Sequence, residues 1–368
     1  MINIAIIGTG SIASTHLEAF ARFRDRCRIM ALVDRSGGKA AKLKERFGLD
    51  CTIYSDYKEV LSLESVDLVS ICTPPSTHAD IASDFLLAGK HVLVEKPMAP
   101  SLSECDRMLE AAAQGQALLS VVGQNRFYDP IRRVKRVIDA GLAGRIVHTE
   151  VNSYWWRGSS YYDVEWRGTW ENEGGGCVMN HAVHHLDLLL WLRGMPSRVH
   201  AVTANTSHRN SQVEDLSIAV LEYPDGGLAQ VTSSVVHHGE EQRLVFQGER
   251  AKVGIPWQLY ASEEGEGGFP KRNPDLEVEI QRAAAEEVVP LQYTGHAGQI
   301  DDVLTAIETG SRQVLIDGNE GRNTIELIMA IYESAATGKV VTLPLAKDSI
   351  FYSRERIIGR APRFHQQA

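Results

Sequence analysis

The first ten residues contain the pattern that most constrains the fold of this chain. An apolar run, residues 4–7, stops at Gly8, and Gly10 and the small residue Ala13 follow as a helical pattern begins. Glycine permits a tight turn and lets the backbone approach a pyrophosphate, whose charge the N–H groups at the start of the helix stabilise. This strand, turn and helix therefore predict the first crossover of a dinucleotide-binding α/β sheet.

The alternation of apolar runs with amphipathic stretches continues to residue 123. Four further runs, residues 29–33, 68–72, 91–94 and 118–122, have the continuous apolar character of strands buried on both faces of a parallel sheet. From residue 144 onwards strands follow one another through short turns, which is typical of an antiparallel sheet. We therefore predict an α/β chain with an N-terminal Rossmann domain and a C-terminal α+β domain whose open sheet is mainly antiparallel.

The predicted division of the chain has four parts. They are a nucleotide-binding domain at 1–123, a connecting helix at 124–143, a substrate and oligomerisation domain at 144–345 and a C-terminal tail at 346–368. The 368 residues are enough for two cores of moderate size.

Charge and cysteine content restrict the partners and the compartment. Lys and Arg total 38 and Asp and Glu total 47, a net charge of −9, which disfavours binding to nucleic acid or to an anionic membrane. The five cysteines are odd in number and form no CxxC pair, which indicates reduced thiols and a cytoplasmic location. The first apolar run stops at Gly8, too early for a signal peptide or a membrane span. A small-molecule substrate is the expected partner.

An acidic residue ends the second predicted strand. Asp34 follows Ala13 by 21 residues, about the spacing at which a carboxylate reaches the ribose hydroxyls of the adenosine half of a dinucleotide. Its charge favours NAD, whereas the adjacent Arg35 could accommodate the 2′-phosphate of NADP. The predicted cofactor is therefore NAD, with NADP left open.

Two polar segments follow the third and fourth predicted strands. Thr73 to His78 come after the third strand, and Glu95, Lys96 and Pro97 come after the fourth. The carboxyl ends of parallel strands bind ligands in such sheets, so we expect Lys96 near a nicotinamide pocket, with a cis bond before Pro97.

The densest polar cluster in the chain follows a run of three glycines, residues 174–176. A helix predicted near 177–193 places Asn180 and His184 on one face and His181 and His185 on a neighbouring face. His184 could act as a general acid and base, because imidazole titrates near neutral pH. Alternatively the histidines could bind a metal with Asp187, but the sequence supplies no HExxH motif and no cysteine pair, so we predict no metal site. His181 and His185 also suit a structural role in an aromatic-rich core.

Taken together, these motifs resemble one protein family over nearly the whole chain. GTGSIA (8–13), TPPSTH (73–78), EKP (95–97), GQNRFYDP (123–130) and GGGCVMNHAVHHLD (174–187) are similar to the Gfo/Idh/MocA family of nicotinamide-dependent sugar and polyol oxidoreductases. The resemblance implies that Lys96 and His184 are catalytic. This chain departs from the commoner pattern by having Asn180 in place of Asp and Ala182 in place of Gly. An amide can orient a substrate hydroxyl but cannot accept a proton, so a proton relay depends on Lys96 and His184.

Candidate site residues follow from the motifs and from an aromatic and arginine-rich stretch at 154–170, because aromatic faces stack on sugars and arginine binds carboxylate or phosphate. The predicted catalytic residues are Lys96, His184 and Asn180. The predicted cofactor contacts are Gly8, Gly10, Ser11, Ile12, Asp34, Arg35, Thr73, Pro74, His78, Glu95, Lys96 and Gln124. The predicted substrate contacts are Arg126, Trp156, Arg157, Trp166, Arg167, Asn180 and His181.

The predicted function is an NAD(P)-dependent dehydrogenase or reductase acting on a CH–OH group of a sugar, an inositol or a sugar acid, including nucleotide-linked forms. Two alternatives remain: an NAD-dependent glycoside hydrolase on the same fold, and a non-catalytic nicotinamide-binding regulator. The alternating pattern of strands such as residues 216–221 predicts an open sheet face, and hence a homodimer or homotetramer.

Overall fold

The computed structural model describes residues 1–286 and 291–365. Its first sheet has six parallel strands in the order β3-β2-β1-β4-β5-β6. The strands are β1 (Ile2–Ile7), β2 (Cys27–Val33), β3 (Thr52–Tyr54), β4 (Leu68–Ile71), β5 (His91–Val94) and β6 (Leu119–Val121). The connecting helices are α1 (Ser11–Phe20), α2 (Gly38–Phe47), α3 (Tyr57–Leu61), α4 (His78–Leu87) and α5 (Leu102–Gln114). The strand order reverses between β1 and β4, and this crevice is where open α/β sheets bind ligands.

The second sheet has nine strands in the order β14-β13-β12-β11-β7-β10-β9-β8-β15. They are β7 (Ile146–Tyr154), β8 (Arg198–Ala204), β9 (Leu216–Glu222), β10 (Leu228–Ser234), β11 (Gln242–Gly248), β12 (Ala251–Ile255), β13 (Gln258–Glu264), β14 (Pro270–Arg272) and β15 (Val341–Thr342). Strands β7 and β10 pair in parallel and the other pairs are antiparallel, which confirms the predicted fold class.

Six further helices follow β6 in the described residues, and between them they pack against both sheets. They are α6 (Asp129–Asp139), α7 (Val183–Arg193), α8 (Pro274–Ala285), α9 (Gly295–Thr309), α10 (Gly318–Thr337) and α11 (Arg354–Arg360). The longest, α10, begins where the Asp317 side chain accepts hydrogen bonds from the N–H groups of Asn319 and Glu320, and it ends at Gly338 in the left-handed conformation. A backbone bridge joins Asp317 to Ser120 of β6, so α10 packs against both halves of the molecule.

The helix after the glycine run differs from the prediction. It begins with one π-helical turn, Val178–Ala182, and becomes regular only at Val183. A π-turn has a wider spacing than an α-turn, so the faces inferred from an ideal helix shift at Asn180 and His181. Such turns are frequent at functional sites.

The C-terminal segment also requires a correction. Residues 346–365 pack against the body of the protein and do not form a peripheral tail. Phe351 is fully buried, Trp170 donates a hydrogen bond of 3.0 Å from Nε1 to the carbonyl oxygen of Pro362, and Arg354 contacts the carbonyl oxygens of Ser76 and Glu171. The apolar Phe351 explains this packing, because burying an aromatic side chain is favourable.

Membrane insertion through a helix has no support in the described part of the chain. None of its helices is both long enough and apolar enough to cross a bilayer.

Candidate active site

The glycine turn lies at the carboxyl end of β1, beside the end of β4. Gly8 has φ +90°, and a β-carbon there would lie 2.8 Å from the carbonyl oxygen of Cys72, so no side chain fits. Gly10 is exposed with open space around it, and no side chain from the described residues caps α1. The N–H groups of Ser11 and Ile12 therefore lie at an open helix N-terminus, which fits a pyrophosphate.

The acidic residue after β2 is held by its neighbours. Asp34 accepts a hydrogen bond of 2.5 Å from the Thr9 hydroxyl, and Ser36 donates to its other oxygen from both the hydroxyl and the backbone N–H. Burial opposes ionisation of Asp34, but the hydrogen bonds from Ser36 and Thr9 lower its pKa. A fixed carboxylate at this position fits a ribose diol, whereas Arg35 is exposed to solvent.

The loops after β4 and β5 are joined by a histidine. His78 is fully buried, and its ring nitrogens lie 2.8 Å from the carbonyl oxygen of Thr73 and 3.0 Å from that of Pro97. Both nitrogens are therefore occupied, and His78 positions the loops that carry Thr73 and Pro74 without offering a group to a ligand. The bond between Lys96 and Pro97 is cis, as the sequence predicts.

A buried ion pair lies beneath the glycine turn. Nε2 of His16 lies 2.8 Å from Oε1 of Glu95, Nδ1 of His16 lies 2.8 Å from the Ser70 hydroxyl, and the other oxygen of Glu95 accepts a hydrogen bond from the N–H of Lys96. Burial disfavours a charged imidazole, but Cys72 and Glu95 raise the pKa of His16 to about 10. Burial likewise disfavours a charged carboxylate, but hydrogen bonds from His16 and His296 lower the pKa of Glu95 well below its usual value. Glu95 thus fixes the backbone at Lys96.

Potential metal ligands occur in two places, among the histidines of α7 and in this ion pair. Within the described residues, the group with closely spaced potential ligand atoms is His16, Glu95 and His296, with all three atoms within 4.8 Å of one another. The His16 to Glu95 hydrogen bond accounts for that spacing. Asp187, the acidic member of the α7 cluster, is occupied by Arg126.

Lys96 and His184 line one cavity at the carboxyl edge of the first sheet, together with Gly123, Val183 and Thr324. The Lys96 ammonium donates a hydrogen bond of 3.2 Å to the carbonyl oxygen of Asn180. Burial, and secondarily the charge of Arg167, lower the pKa of Lys96, while burial and the charge of Lys96 hold the pKa of His184 well below its usual value. Burial thus opposes charge on both groups, and the site pairs an amine donor with a neutral imidazole.

The Asn180 side chain faces the glycine run. Its amide nitrogen lies 3.3 Å from the carbonyl oxygen of Gly175 and 3.4 Å from that of Gly176, so its contact with Lys96 is made by the backbone and not by the amide. The amide oxygen remains the group by which Asn180 could orient a ligand hydroxyl.

A buried carboxylate that the sequence analysis missed positions this segment. Glu214 accepts hydrogen bonds of 3.0 Å from the N–H groups of Gly176 and Val178, and the Tyr332 hydroxyl donates to it at 2.9 Å. Burial raises the pKa of Glu214 to about 7. A β-carbon at Gly175 would lie 2.2 Å from the Tyr332 hydroxyl, which explains the need for glycine there. Tyr332 lies on α10, 118 residues from Glu214 along the chain, so no local sequence pattern pointed to this network.

The aromatic and arginine-rich stretch forms one wall of the cleft. The Cζ atom of Arg167 lies 3.8 Å from the ring centre of Tyr161 and 4.4 Å from that of Trp166. Arg157 pairs with Glu240 at 2.6 Å, and the half-exposed Trp156 stacks on His238. These contacts place Arg157 and Trp156 at the rim and Arg167 deeper in the cleft.

His181 and His185 pack against Trp155, with ring centres 6.0 Å and 6.4 Å away. This packing agrees with the structural role in an aromatic-rich core that the sequence suggested. The hydrogen bonds expected of structural histidines are incomplete, because Nδ1 of each ring is buried without a partner among residues 1–286 and 291–365. Burial lowers the pKa of His185 to about 4, and burial with the charges of Arg157, Lys96 and Arg167 holds that of His181 well below its usual value.

Arg126, predicted as a substrate contact, has structural partners instead. It is buried, its Nε and Nη2 atoms donate to the two oxygens of Asp187 at 3.0 Å and 2.6 Å, and Nη2 also lies 2.7 Å from Glu320. Sequence reasoning missed this pairing because the partners lie on separate helical segments. The neighbouring Gln124 keeps a buried side-chain oxygen for which the described residues provide no hydrogen-bond partner.

Comparison with known proteins gives the context of this site. Residues 2–122 match the model of an oxidoreductase family with an NAD-binding Rossmann fold, and residues 131–253 match the GFO/IDH/MocA C-terminal domain. The chain is 24% identical to D-glucoside 3-dehydrogenase of Escherichia coli (93% of this chain, 97% of that protein) and 28% identical to inositol 2-dehydrogenase of Burkholderia lata (69% and 74%).

A solved structure also resembles the whole chain. The WlbA dehydrogenase from Bordetella pertussis, in complex with NADH and UDP-GlcNAcA, superposes with a TM-score of 0.80 at 29% identity, over 94% of this chain and 99% of that one. These matches cover both sheets, and the described cofactor edge fits NAD. The chain therefore belongs to the Gfo/Idh/MocA family of NAD-dependent oxidoreductases that act on sugar and polyol hydroxyls.

Proposed function

We propose that the chain oxidises one ring hydroxyl of a sugar or sugar derivative, with Lys96 and His184 as its catalytic residues. The observation that carries this assignment is that Lys96 and His184 border the same small cavity, about 20 Å³ in volume, at the ligand-binding edge of the first sheet, and that the charge of Lys96 lowers the pKa of the His184 imidazole. NAD would be held by the N-terminus of α1, the glycine turn and Asp34, and when bound it supplies the hydride acceptor.

The two side chains divide the proton chemistry. Lys96 donates a hydrogen bond to the reacting hydroxyl oxygen and stabilises the negative charge that develops there. His184 is neutral at pH 7, so its free ring nitrogen accepts the hydroxyl proton as the C–H bond gives up its hydride. In the opposite direction the same groups protonate and polarise a carbonyl.

Asn180 has an orienting role in this proposal. Its amide nitrogen is occupied by the glycine run, and its amide oxygen accepts a hydrogen bond from a neighbouring substrate hydroxyl. Trp166 and Tyr161 provide apolar faces for the sugar ring. A substrate with several ring hydroxyls is also what the names of the relatives describe, since these include a glucoside, an inositol and a nucleotide-linked sugar acid.

The test is NADH formation from NAD with inositols, aldoses, uronic acids, amino sugars and their nucleotide-linked forms, in wild type, Lys96→Ala and His184→Ala. We expect turnover of one substrate class, with both substitutions lowering kcat by about 10²–10⁴-fold. Turnover that survives both substitutions would overturn the assignment of these residues. Release of an aglycone without net NADH would instead select the glycoside hydrolase, and NAD binding without any turnover would select the regulator.

We further propose that the chain forms a homodimer or homotetramer through the uncovered face of the second sheet. Four large apolar side chains are exposed on β8, β9 and β10, at 66%, 54%, 44% and 47% of their surface: Val202, Ile218, Val220 and Leu228. Val202 and Ile218 lie directly opposite each other on adjacent strands, so the apolar groups form one surface. A second copy presents the same surface, as a symmetric interface requires.

Light scattering after size exclusion tests this interface. We expect an oligomer for wild type and a monomer for the double variant Val202→Lys with Ile218→Lys, because charges opposed across the interface would be buried unpaired. A monomeric wild type at micromolar concentration would contradict the proposal.

We also propose a reducing, cytoplasmic location. All five cysteines are buried and unpaired among the described residues. Titration of the unfolded protein without reductant should find five free thiols, and a disulfide would count against this location.

A further inference from the structure

Three cationic side chains surround His181 in the cleft: Lys96, Arg157 and Arg167, which we call the cleft cations. The His181 ring lies 5.6 Å from that of Tyr161, and the Lys96 ammonium contacts the carbonyl oxygen of Asn180, the chain neighbour of His181. Each of the three charges also opposes protonation of the His181 imidazole, which lowers its pKa. Arg157 and Arg167 also lie near the same aromatic ring, with Cζ atoms 5.7 Å and 3.8 Å from the centre of Tyr161.

The negative charge available to the cleft cations is small. Among the described residues the Lys96 ammonium donates to a backbone carbonyl oxygen, and the carboxylate of Glu95, which raises the pKa of Lys96, is itself paired with His16. Arg157 pairs with Glu240 at the solvent-exposed rim. Arg167 lies 3.6 Å from Glu173, beyond hydrogen-bond distance, and its guanidinium makes no hydrogen bond within residues 1–286 and 291–365. Glu173 is almost fully buried, and burial raises its pKa to about 7, so it is only partly ionised at neutral pH.

The Arg167 guanidinium is fixed in place while its donors remain available. Trp166 and Tyr161 lie against it at 4.4 Å and 3.8 Å, and aromatic contacts of this kind hold a guanidinium without using its N–H groups. The side chain is only 21% exposed, so part of its hydration has been removed. A partly desolvated cation with free donors, 3.6 Å from a carboxyl group that is only partly ionised, can bind an anionic ligand.

We propose that Arg167, with Arg157 at the rim, binds an anionic substituent of the substrate, a carboxylate or a phosphate, next to the ring carbon that Lys96 and His184 oxidise. This inference rests on the proposed function, and it deepens it by assigning the substrate to the acidic sugars and sugar phosphates. A planar guanidinium binds either group through two parallel hydrogen bonds, and the two sources differ in charge and shape.

Matched substrates separate the possibilities. Glucose, glucuronate and glucose 6-phosphate differ only at carbon 6, and the galactose series and the nucleotide-linked pairs UDP-glucose and UDP-glucuronate extend the comparison. We expect kcat/KM for one anionic member to exceed that of its neutral partner at least tenfold. Preference for the acid assigns a carboxylate, and preference for the phosphate ester assigns a phosphate.

Substitution tests the assignment to Arg167. Arg167→Gln should lower kcat/KM for the anionic substrate by about 10–100-fold, mainly through KM, because a charge-assisted hydrogen-bond pair is lost. For the neutral partner kcat/KM should fall by a smaller factor, so that the preference for the anionic substrate shrinks, and Arg167→Lys should restore part of that preference. The matched control is Arg145→Gln, since Arg145 is an exposed arginine paired with Glu249 away from the cleft.

Calorimetry of the same sugars with the NADH-loaded protein provides a readout that does not depend on turnover. Binding of the anionic member that Arg167→Gln weakens supports the inference. Equal kcat/KM for neutral and anionic members, or equal binding by wild type and Arg167→Gln, overturns it while the dehydrogenase assignment stands. Absence of turnover with every sugar contradicts the proposed function alone. Whether Arg167 binds the anionic group is then decided by comparing sugar binding to wild type and to Arg167→Gln.

Discussion

Two lysines at opposite ends of β5 compare a structural lysine at one edge of the sheet with the lysine that we propose as catalytic at the other. Lys90, at the amino end, is buried and donates hydrogen bonds of 2.6 Å and 3.0 Å to the carbonyl oxygens of Leu63 and Val66. Lys96, beyond the carboxyl end, has one contact of 3.2 Å and faces a cavity. Burial lowers the pKa of both. The number of protein partners therefore distinguishes the two roles, whereas burial does not.

Two arginines repeat this contrast. Arg126 is bound by both oxygens of Asp187 and by Glu320, whereas Arg167 has no carboxylate within hydrogen-bond distance in the described residues. Both were candidate substrate contacts on sequence grounds. Only the structure separates an arginine held by two carboxylates, although its Nη1 is buried without a partner among the described residues, from one whose ion pair with Glu173 is 3.6 Å long.

The largest expected effect tests the lysine pair. Lys96→Ala should lower kcat/KM by about 10²–10⁴-fold, because the polarising donor is lost, while the free energy of unfolding changes by less than about 1 kcal/mol. Lys90→Ala should show the reverse, with normal kinetics and a loss of about 1–3 kcal/mol, because two buried carbonyl groups lose their donor. Steady-state kinetics measure kcat/KM, and urea unfolding measures the free energy of unfolding. An equal loss of kcat/KM in the two variants would contradict the assignment of different roles to Lys90 and Lys96.

The arginine pair should separate by stability. Arg126→Met should lower the free energy of unfolding by about 3–5 kcal/mol, since it leaves the buried carboxylate of Asp187 without its counter-charge. Arg167→Met should lower it by only about 1 kcal/mol, because its 3.6 Å ion pair with Glu173 includes no hydrogen bond, and burial already raises the pKa of Glu173 to about 7. Denaturant titration of the two variants decides the point, and similar losses would mean that Arg167 is structural after all.

The free energy of unfolding should depend on pH through His16, whose two ring nitrogens both have hydrogen-bond partners. The folded pKa of about 10 is above the ordinary value of 6.5, so the stabilisation is complete below about pH 6.5 and is lost as the pH rises through 10. We expect a loss on the order of 2 kcal/mol over this range in wild type. His16→Gln, which keeps a donor but does not titrate, should remove this part of the dependence in urea titrations at several pH values. An unchanged slope would show that the His16 to Glu95 pair does not carry it.

The smallest effect concerns the choice of cofactor. Asp34→Ser removes a fixed carboxylate near the predicted adenosine ribose and should shift the NADP to NAD ratio of kcat/KM about tenfold towards NADP, a change of about 1.4 kcal/mol. Asp50→Ser, at an exposed acidic residue after α2, is the matched control. If both variants keep the wild-type ratio, Asp34 does not select the cofactor.

The sequence predicted those parts of the molecule that depend on local pattern. The first strand, the glycine turn and α1 follow from the order of neighbouring residues. Lys96 and His184 follow from short motifs, and their catalytic roles stay predictions. The π-turn at Val178–Ala182 was not, because its backbone follows from contacts with Glu214 and Tyr332 and not from helix propensity.

Interactions between distant residues account for the other differences. Arg126 and Asp187 are 61 residues apart, and His16 and Glu95 are 79 apart, and the spacing of charged residues does not reveal such pairs. Phe351 likewise becomes part of the core only because the fold brings the C-terminal segment back to Trp170, with ring centres 6.1 Å apart.

The hydroxyl of Tyr332 accepts hydrogen bonds from the N–H groups of Gly176 and Met179, so the segment that carries Asn180 is complete only when α10 is in place. During synthesis the first six-stranded sheet leaves the ribosome long before residue 332, and domains fold as units in that order. Because Ala297, Ile300 and Val303 of α9 belong to the core around β1 and α1, a nascent chain that extends through α9 should bind nucleotide before it has a catalytic centre. Fragments that end before α10 should retain the first property and lack the second, whatever else they fold into.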